Sequence, residues 1–185
     1  AVDFLPAFLL ALAQRAQAAG LGERITTVEA SMEALPFPPA SYDVIWSEGA
    51  IYNMGFEAGV RAWRPLLRDN GLLVASEITW LTAHRPQAVE AFWQSAYPQI
   101  DTAAGKLRVL ERNGFAPVAW FALPQYCWTD NYYAPLQAGF DAFLAQQGRN
   151  EAAAALIAAE REEIAMYQRY GEYYSYGMYI ARRSD

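Results

Sequence analysis

The segment spanning residues 41–77 constrains the fold of this chain more than any other. Two short and almost wholly apolar runs, residues 42–46 and 72–75, flank a stretch in which apolar residues recur every three or four positions. That spacing is the helical period, and Asn70-Gly71 is a typical helix stop. Because strands that are apolar on both faces are typical of parallel sheets covered by helices, the segment predicts a β-α-β unit.

The rest of the sequence predicts further helices and strands around this unit. Because the late strands have no short crossover between them, they favour an antiparallel pair. We therefore expect an α/β fold: a three-layer, doubly wound, Rossmann-like sheet, mostly parallel with an antiparallel last strand. Helical patterns cover residues 3–19, 86–96, 102–113, 131–147 and 151–170, and strand patterns cover residues 25–29, 118–123 and 173–181.

Composition narrows the class of function. The 185 residues are 54% hydrophobic, which suits one domain with a real core. The net charge is -6 and no run of Lys or Arg stands out, so a nucleic-acid partner is not expected. Cys127 is the single cysteine, so we expect no multi-cysteine metal site and a cytoplasmic location. The apolar residues 2–13 fit neither a signal peptide nor a membrane helix, so no membrane partner is expected.

A polar cluster follows the first strand of the β-α-β unit. Ser47, Glu48 and Gly49 come directly after the apolar run 42–46. In open α/β sheets, ligands bind beyond the carboxyl ends of the strands. The cluster therefore predicts the position of the functional site.

Two segments, residues 42–45 and residues 64–73, resemble the signatures of class I S-adenosylmethionine-dependent methyltransferases of the bacterial small-molecule kind. Residues 42–45, Tyr-Asp-Val-Ile, are similar to the family's "FDVI", and residues 64–73 are similar to its "LKPGG" followed by a strand. The resemblance implies one methyltransferase domain over residues 1–185, which uses S-adenosylmethionine to methylate a small molecule. Further similar segments are Val2-Asp3, residues 31–37, residues 48–80 with the pattern Ile-Tyr-Asn-x-Gly-Phe-Glu, Trp128-Thr129, and residues 173–180.

One signature of the family has no counterpart in this sequence. The Gly-x-Gly loop that follows the family's first strand would precede Ala1, and the chain does not begin with Met. That loop brings backbone N–H groups close to the cofactor. We therefore expect a domain truncated at its N-terminus, without the first strand and the Gly-rich loop, which binds cofactor poorly by itself.

The resemblance implies a cofactor site at the strand ends. Asp3 matches the acidic residue whose carboxylate accepts hydrogen bonds from both ribose hydroxyls. Ser31 and Met32 match the segment that contacts the adenine. Each also has a plain structural interpretation: a helix cap for Asp3, an ordinary loop for Ser31 and Met32, and a solvated acid for Glu48. The expected cofactor set is Asp3, Phe4, Ser31, Met32, Ser47, Glu48 and Gly49, and Glu48 is the candidate catalytic residue.

The small-molecule acceptor is expected beneath two helical inserts, residues 79–114 and 128–170. Aromatic residues are abundant there; part of them must form core, and part could line an apolar pocket or a cage for an amine. Tyr52 could instead pack against the sheet, and His84 could be an ordinary surface residue. The expected acceptor contacts are Tyr52, Glu77, Trp80, His84, Trp128 and Tyr132.

Two other functions stay open on the sequence. A nicotinamide-dependent (NAD-type) oxidoreductase also uses an acidic residue after a strand, but it predicts an all-parallel sheet. A catalytically inactive binding module would complete its sheet with a partner, for example as a homodimer. A reversed last strand argues against the oxidoreductase, and a monomer that binds S-adenosylmethionine tightly argues against the module.

Overall fold

The computed structural model describes residues 1–184. The strands are β1 (Val2–Asp3), β2 (Val28–Glu29), β3 (Tyr42–Ser47), β4 (Leu67–Trp80), β5 (Asp101–Thr102), β6 (Phe115–Ala122) and β7 (Tyr174–Arg183). The helices are α1 (Pro6–Ala18), α2 (Phe56–Trp63), α3 (Gln87–Ala96), α4 (Ala103–Arg112), α5 (Gln125–Trp128), α6 (Ala134–Gln146) and α7 (Glu151–Tyr170), with a π-helical turn, Thr129–Tyr133, between α5 and α6.

The main sheet is mixed, and its strands lie in the order β3-β4-β7-β6, with the short β5 beside the end of β4. Strands β3 and β5 run parallel to β4, whereas β7 runs antiparallel to both of its neighbours. Strands β1 and β2 form a separate parallel pair. The predicted mostly parallel sheet with an antiparallel last strand is confirmed.

Helices cover both faces of the main sheet. Along β4, successive side chains point to opposite faces. Leu73 and Ala75 pack in one core with α2 and α4. Ile78 and Trp80 pack in a second core with α3, α6 and α7. The alternation confirms the three-layer, doubly wound architecture.

The predicted extent of the central helix is wrong. Helix α2 ends at Trp63, a single 3-10 turn covers Arg64–Leu66, and β4 already begins at Leu67. Pro65 explains the early end, because proline has no N–H to continue the α-helical ladder.

Asn70-Gly71 lies inside β4 and does not end a helix. Between the pairs Tyr42↔Leu67 and Val44↔Leu72 the register shifts, so β4 bulges there. Asn70 has a left-handed φ of 64°. A Cβ on Gly71 would lie 2.9 Å from the Arg68 carbonyl oxygen, so only glycine fits this close backbone approach.

Other predicted bounds differ by smaller amounts. The predicted strand 25–29 is reduced to Val28–Glu29, because its partner β1 offers only two residues for pairing. Helix α7 has the predicted bounds, with the Asn150 side chain accepting from the Ala153 N–H at its start. Thr102 caps α4 as predicted, since its hydroxyl accepts from the Gly105 N–H at 3.2 Å.

Residues 1–184 contain neither a membrane-spanning helix nor a metal-binding cluster. None of the helices in this range is both long and apolar enough to cross a bilayer. No cluster of three or more His, Cys, Asp or Glu side chains within the same residues could hold a metal ion.

Candidate cofactor and acceptor sites

A large cavity opens between β1 and β3. Its volume is about 1430 Å³. Within residues 1–184, β1 pairs only with β2 and β3 pairs only with β4, so the two facing strand edges carry no backbone partner. Apolar side chains on these strands and their flanks are exposed, among them Phe4, Val44 and Trp46. The cavity is thus a gap between two parts of one α/β layer.

Nearly all of the predicted cofactor residues meet at this cavity. Asp3 and Phe4 line it from β1 and its end, Ser31 and Met32 from the loop after β2, and Ser47 and Glu48 from the end of β3. Gly49 is not among the lining residues. Its N–H donates to the Ser76 hydroxyl at 2.8 Å, which ties the loop after β3 to β4.

Asp3 keeps one carboxylate oxygen free. Its Oδ1 accepts from the Leu5 N–H at 2.8 Å, which fixes the side chain at the entry to α1 without capping the helix itself. Within residues 1–184, Oδ2 makes no hydrogen bond. Asp3 therefore lines the cavity from a fixed position and keeps one acceptor oxygen unused.

The loop after β2 is held in place by α2. The indole N–H of Trp63 donates to the Met32 carbonyl at 3.0 Å, and the Met32 side chain packs on the core formed with α2 and α4. Ser31 Oγ accepts from the Glu33 N–H at 3.2 Å. The loop thus presents one hydroxyl and one thioether to the cavity.

The end of β3 contributes two polar side chains of different exposure. Ser47 Oγ is buried and has no hydrogen-bond partner within the described residues. Buried polar atoms are nearly always paired, so this hydroxyl fits a polar atom of a ligand in the cavity. Glu48 is exposed, and its Oε1 accepts from the Trp46 indole N–H at 2.9 Å.

The predicted acceptor residues fall into two groups, and one of these is exposed. Tyr52 is 41% exposed, and its ring meets that of Tyr97 edge-on at 6.2 Å between centroids. Tyr132, in the π-helical turn, is 46% exposed. His84 is exposed on the loop between β4 and α3.

The other group is buried in the two cores. Glu77 is fully buried and forms an ion pair with Lys106 of α4 at 3.2 Å. Burial raises the pKa of Glu77 against the opposing effect of Lys106, and burial lowers the pKa of Lys106. Trp80 and Trp128 belong to the second core, where Trp128 donates to the Ser175 hydroxyl at 2.9 Å. None of the three lines the cavity between β1 and β3.

The sequence interpretation missed an acid on α7. The Tyr133 hydroxyl donates to Glu163 Oε1 at 2.9 Å, and burial raises the pKa of Glu163. A signal was present in the sequence, because Glu160 and Glu163 lie within one helical turn of Ile157 and Ile164, which are buried. An acid at those positions faces the protein.

Comparisons with known proteins agree with this architecture. The family model described as "Methyltransferase domain" matches residues 1–75. A comparison with curated protein sequences gives no match.

Solved structures cover almost the whole chain. A methyltransferase from Geobacter sulfurreducens, crystallised with S-adenosylhomocysteine, is 19% identical, with a TM-score of 0.81 over 98% of this chain and 74% of its own. The [4+2]-cyclase SpnF is 19% identical, with a TM-score of 0.76 over 99% of this chain and 64% of its own. Geranyl diphosphate C-methyltransferase from Streptomyces coelicolor A3(2) is 15% identical, with a TM-score of 0.64 over 98% of this chain and 61% of its own.

The chain spans about two thirds of the length of these structures. At such identities the likeness concerns the fold, and SpnF, whose name is that of a cyclase, shows that the fold serves more than one reaction. The chain therefore has the fold of class I S-adenosylmethionine-dependent methyltransferases, and its residues 1–75 match the methyltransferase domain family.

Proposed function

We propose that this chain is the larger part of an S-adenosylmethionine-dependent methyltransferase that methylates a small-molecule acceptor. The observation that carries the proposal is the cavity between β1 and β3. It gathers Asp3, Ser31, Ser47 and Glu48 from three strand ends that are far apart in sequence. Ligand binding at this edge of the sheet is the rule for open α/β folds.

The side chains at the cavity suit the parts of the cofactor. Asp3 would accept hydrogen bonds from the ribose hydroxyls, and Ser31 and Met32 would contact the adenine with a hydroxyl and a thioether. The unpaired hydroxyl of Ser47 and the carboxylate of Glu48 would bind the methionine part. When bound, S-adenosylmethionine supplies a methyl group that its sulfonium has already activated.

The protein's own task is then alignment and at most one proton transfer. Glu48 is oriented by the Trp46 indole and is exposed at the mouth of the cavity. From there its carboxylate orients the nucleophile or accepts its proton. The neighbouring Gly49, bonded to Ser76, keeps this loop close to β4.

We also propose that a strand and a Gly-rich loop outside residues 1–185 occupy the gap between β1 and β3. The unpaired strand edges, the exposed Val44 and Trp46, and the greater length of the similar structures support this. Such a strand would join β1 and β2 to the main sheet, and its loop would bring N–H groups to the cofactor.

The acceptor would bind on the other side of the β3 loop from this gap. Residues 79–114 and 128–170 would cover it, although α4 in the first of these ranges packs as a layer helix on the sheet. A related fold acts on geranyl diphosphate, as its name states, which supports a small-molecule acceptor. The net charge of -6 supports an acceptor other than nucleic acid, and the single cysteine supports a cytoplasmic enzyme. A bacterial source is supported by the resemblance to bacterial small-molecule methyltransferases alone.

The structure bears differently on the two alternative functions, the oxidoreductase and the inactive binding module. The antiparallel β7 argues against the nicotinamide-dependent oxidoreductase. An inactive module that pairs with a second copy, as a homodimer, is favoured by one observation, the exposed apolar side chains beside the unpaired edges. Determination of the molar mass in solution, with and without the upstream residues, distinguishes a dimer from a monomer.

The proposed cofactor site is tested by titration calorimetry with S-adenosylhomocysteine on protein that includes the residues encoded upstream. We expect saturable binding of one ligand per chain. Asp3→Asn should weaken it by at least about tenfold, because a charged acceptor of hydrogen bonds is lost. Glu29→Gln removes the same charge from an exposed position outside the lining and should leave the affinity unchanged. Equal affinities for Asp3→Asn and the unmutated protein would remove Asp3 from the site.

A further inference from the structure

Tyrosine side chains from several separate elements converge at the acceptor side of the sheet. The rings of Tyr52 and Tyr97 are in edge contact, and Tyr132 and Tyr133 follow one another in the π-helical turn with centroids 5.1 Å apart. Tyr176 of β7 lies within electrostatic reach of this set. Its pKa is raised first by burial and then by charges at Tyr52 and Glu77. The site is therefore rich in aromatic faces and hydroxyls.

Carboxylates without a basic partner border these rings. Glu160 and Glu163 lie within one turn of α7, and neither forms an ion pair within residues 1–184. Burial, together with the charge on Glu160, raises the pKa of Glu163, and the Tyr133 hydroxyl opposes this rise. Glu160 Oε2 is buried and has no hydrogen-bond partner within the described residues. Neither carboxylate therefore has a basic side chain as its counter-charge within the described residues.

The basic side chains of the same region are engaged elsewhere. Lys106 is paired with Glu77 at 3.2 Å. Arg85 lies over the Trp80 ring and pairs with Glu90, and Arg161 lies over Phe140. Since no cation of the described chain serves Glu163, an external cation fits the charge balance of the site.

Buried polar groups lie behind this place. The Tyr174 side chain is fully buried, and burial together with the charge of Glu163 raises the pKa of its hydroxyl, whereas a hydrogen bond with the Trp93 indole opposes this rise. Glu160 Oε2, by contrast, has no hydrogen-bond partner within the described residues. Buried polar atoms are nearly always paired, so this carboxylate oxygen is the one that fits a polar or charged ligand.

The wall behind these groups is rigid. The Trp128 ring stacks on Tyr167 at 4.6 Å and on Tyr176 at 5.2 Å between centroids. Its indole N–H is held by Ser175. In front of this wall, Tyr52 and Tyr132 expose 41% and 46% of their surface, so their rings are open to a ligand.

We infer that the acceptor carries a protonated or quaternary amine, which binds between the open rings of Tyr52 and Tyr132 with Glu163 as its counter-charge. Aromatic rings and a carboxylate together are the usual recognition elements for such cations. This inference rests on the proposed function for its identification of the bound cation with the methyl acceptor. The cation site itself can be measured without the cofactor.

Titration calorimetry of the 185-residue chain with choline tests this cation site. The matched probe is 3,3-dimethylbutan-1-ol, which has the same shape as choline but no charge. We expect saturable choline binding, and binding of the neutral alcohol weaker by at least about tenfold. Because the two probes have the same shape, a difference in their affinities reports the contribution of the positive charge.

Variants assign the binding to the named residues. Glu163→Gln should weaken choline binding about tenfold, whereas Glu162→Gln, the same change at the exposed neighbouring position, should not. Tyr132→Leu should weaken it severalfold and Tyr132→Phe should not, because the ring face is what the cation needs. Tyr132 is nearly half exposed, so its variants stay folded even if Glu163→Gln does not.

Three results would overturn the inference. They are no saturable choline binding, equal binding of choline and the alcohol, or equal losses in Glu162→Gln and Glu163→Gln. Choline binding by the 185-residue chain, with no S-adenosylhomocysteine binding by the protein that includes the upstream residues, would reject methyl transfer and keep the cation site. Binding of S-adenosylhomocysteine without binding of choline would reject the cation site and keep the proposed function.

Discussion

Glu48 is the single side chain on which the proposed chemistry depends most. It directly follows β3, lines the cavity and accepts a hydrogen bond from the Trp46 indole. Its carboxylate can bond the amino group of the cofactor, orient the nucleophile or accept a proton, and all three roles need the charge. An amide of the same shape keeps the hydrogen bond from Trp46 and loses those roles.

Glu48→Gln in the protein with its upstream residues should therefore lower turnover by at least about 100-fold. Release of S-adenosylhomocysteine from S-adenosylmethionine, once an acceptor is found, measures this. Trp46→Phe removes only the indole N–H that orients the carboxylate, so a smaller loss is expected. Unchanged turnover and unchanged cofactor affinity in Glu48→Gln would exclude the role.

Single residues differ in how well the sequence predicts them. Asp3, Ser31 and Ser47 line one cavity because each ends a strand or follows one. Strand ends can be predicted from apolar runs and turn residues. Glu77 was expected to contact the acceptor. Because side chains alternate between the two faces of β4, the Glu77 side chain lies on the α4 side. There it pairs with Lys106, which is far away in the sequence. Such long-range pairing leaves no local pattern.

At the scale of elements, an ion pair joins α2 to α4. The Arg112 guanidinium and the Asn113 amide both donate to the Glu57 carboxylate. These hydrogen bonds lower the pKa of Glu57 from its ordinary value of 4.5 to about 2. The carboxylate stays charged in the folded chain at a pH where it would be protonated in the unfolded chain.

The sign of the pH effect follows from that shift. Because the folded pKa of Glu57 is depressed, its contribution to stability is complete above pH 4.5 and is lost as the pH falls toward about 2. In urea unfolding at a series of pH values, the unmutated protein should lose stability more steeply over this range than Glu57→Gln does. Glu111→Gln, at an exposed position of α4, should keep the steep dependence. Parallel curves for all three proteins would contradict the assignment.

Elements with strong periodicity and local caps were predicted well. Helix α7 has the predicted limits, since Asn150 marks its start and the apolar period runs without interruption. The end of α2 was predicted wrongly, because Asn70-Gly71 suits a helix stop and a strand bulge equally. Pro65 was the better signal, since it breaks the helical ladder wherever it lies in a helix interior.

At the scale of the molecule, the β-α-β unit predicted the parallel part of the sheet. The antiparallel β7 distinguishes this sheet from the all-parallel sheet of the oxidoreductase alternative. Two apolar runs on either side of a helical pattern are enough to predict the parallel pair β3 and β4. The late strands have no short crossover between them, which predicted that β7 runs antiparallel. The separation of β1 and β2 from the main sheet could not be predicted from strand patterns alone. It depends on which edges find partners in space.

The gap between these two sheets is where we propose that the cofactor binds. A crystal structure of the protein with its upstream residues and bound S-adenosylhomocysteine tests this proposal most directly. We expect the ligand in the cavity between β1 and β3, with the ribose hydroxyls within hydrogen-bond distance of the Asp3 carboxylate and the homocysteine part beside Ser47 and Glu48. A ligand bound elsewhere, or one whose ribose lies out of reach of Asp3, would contradict the proposal.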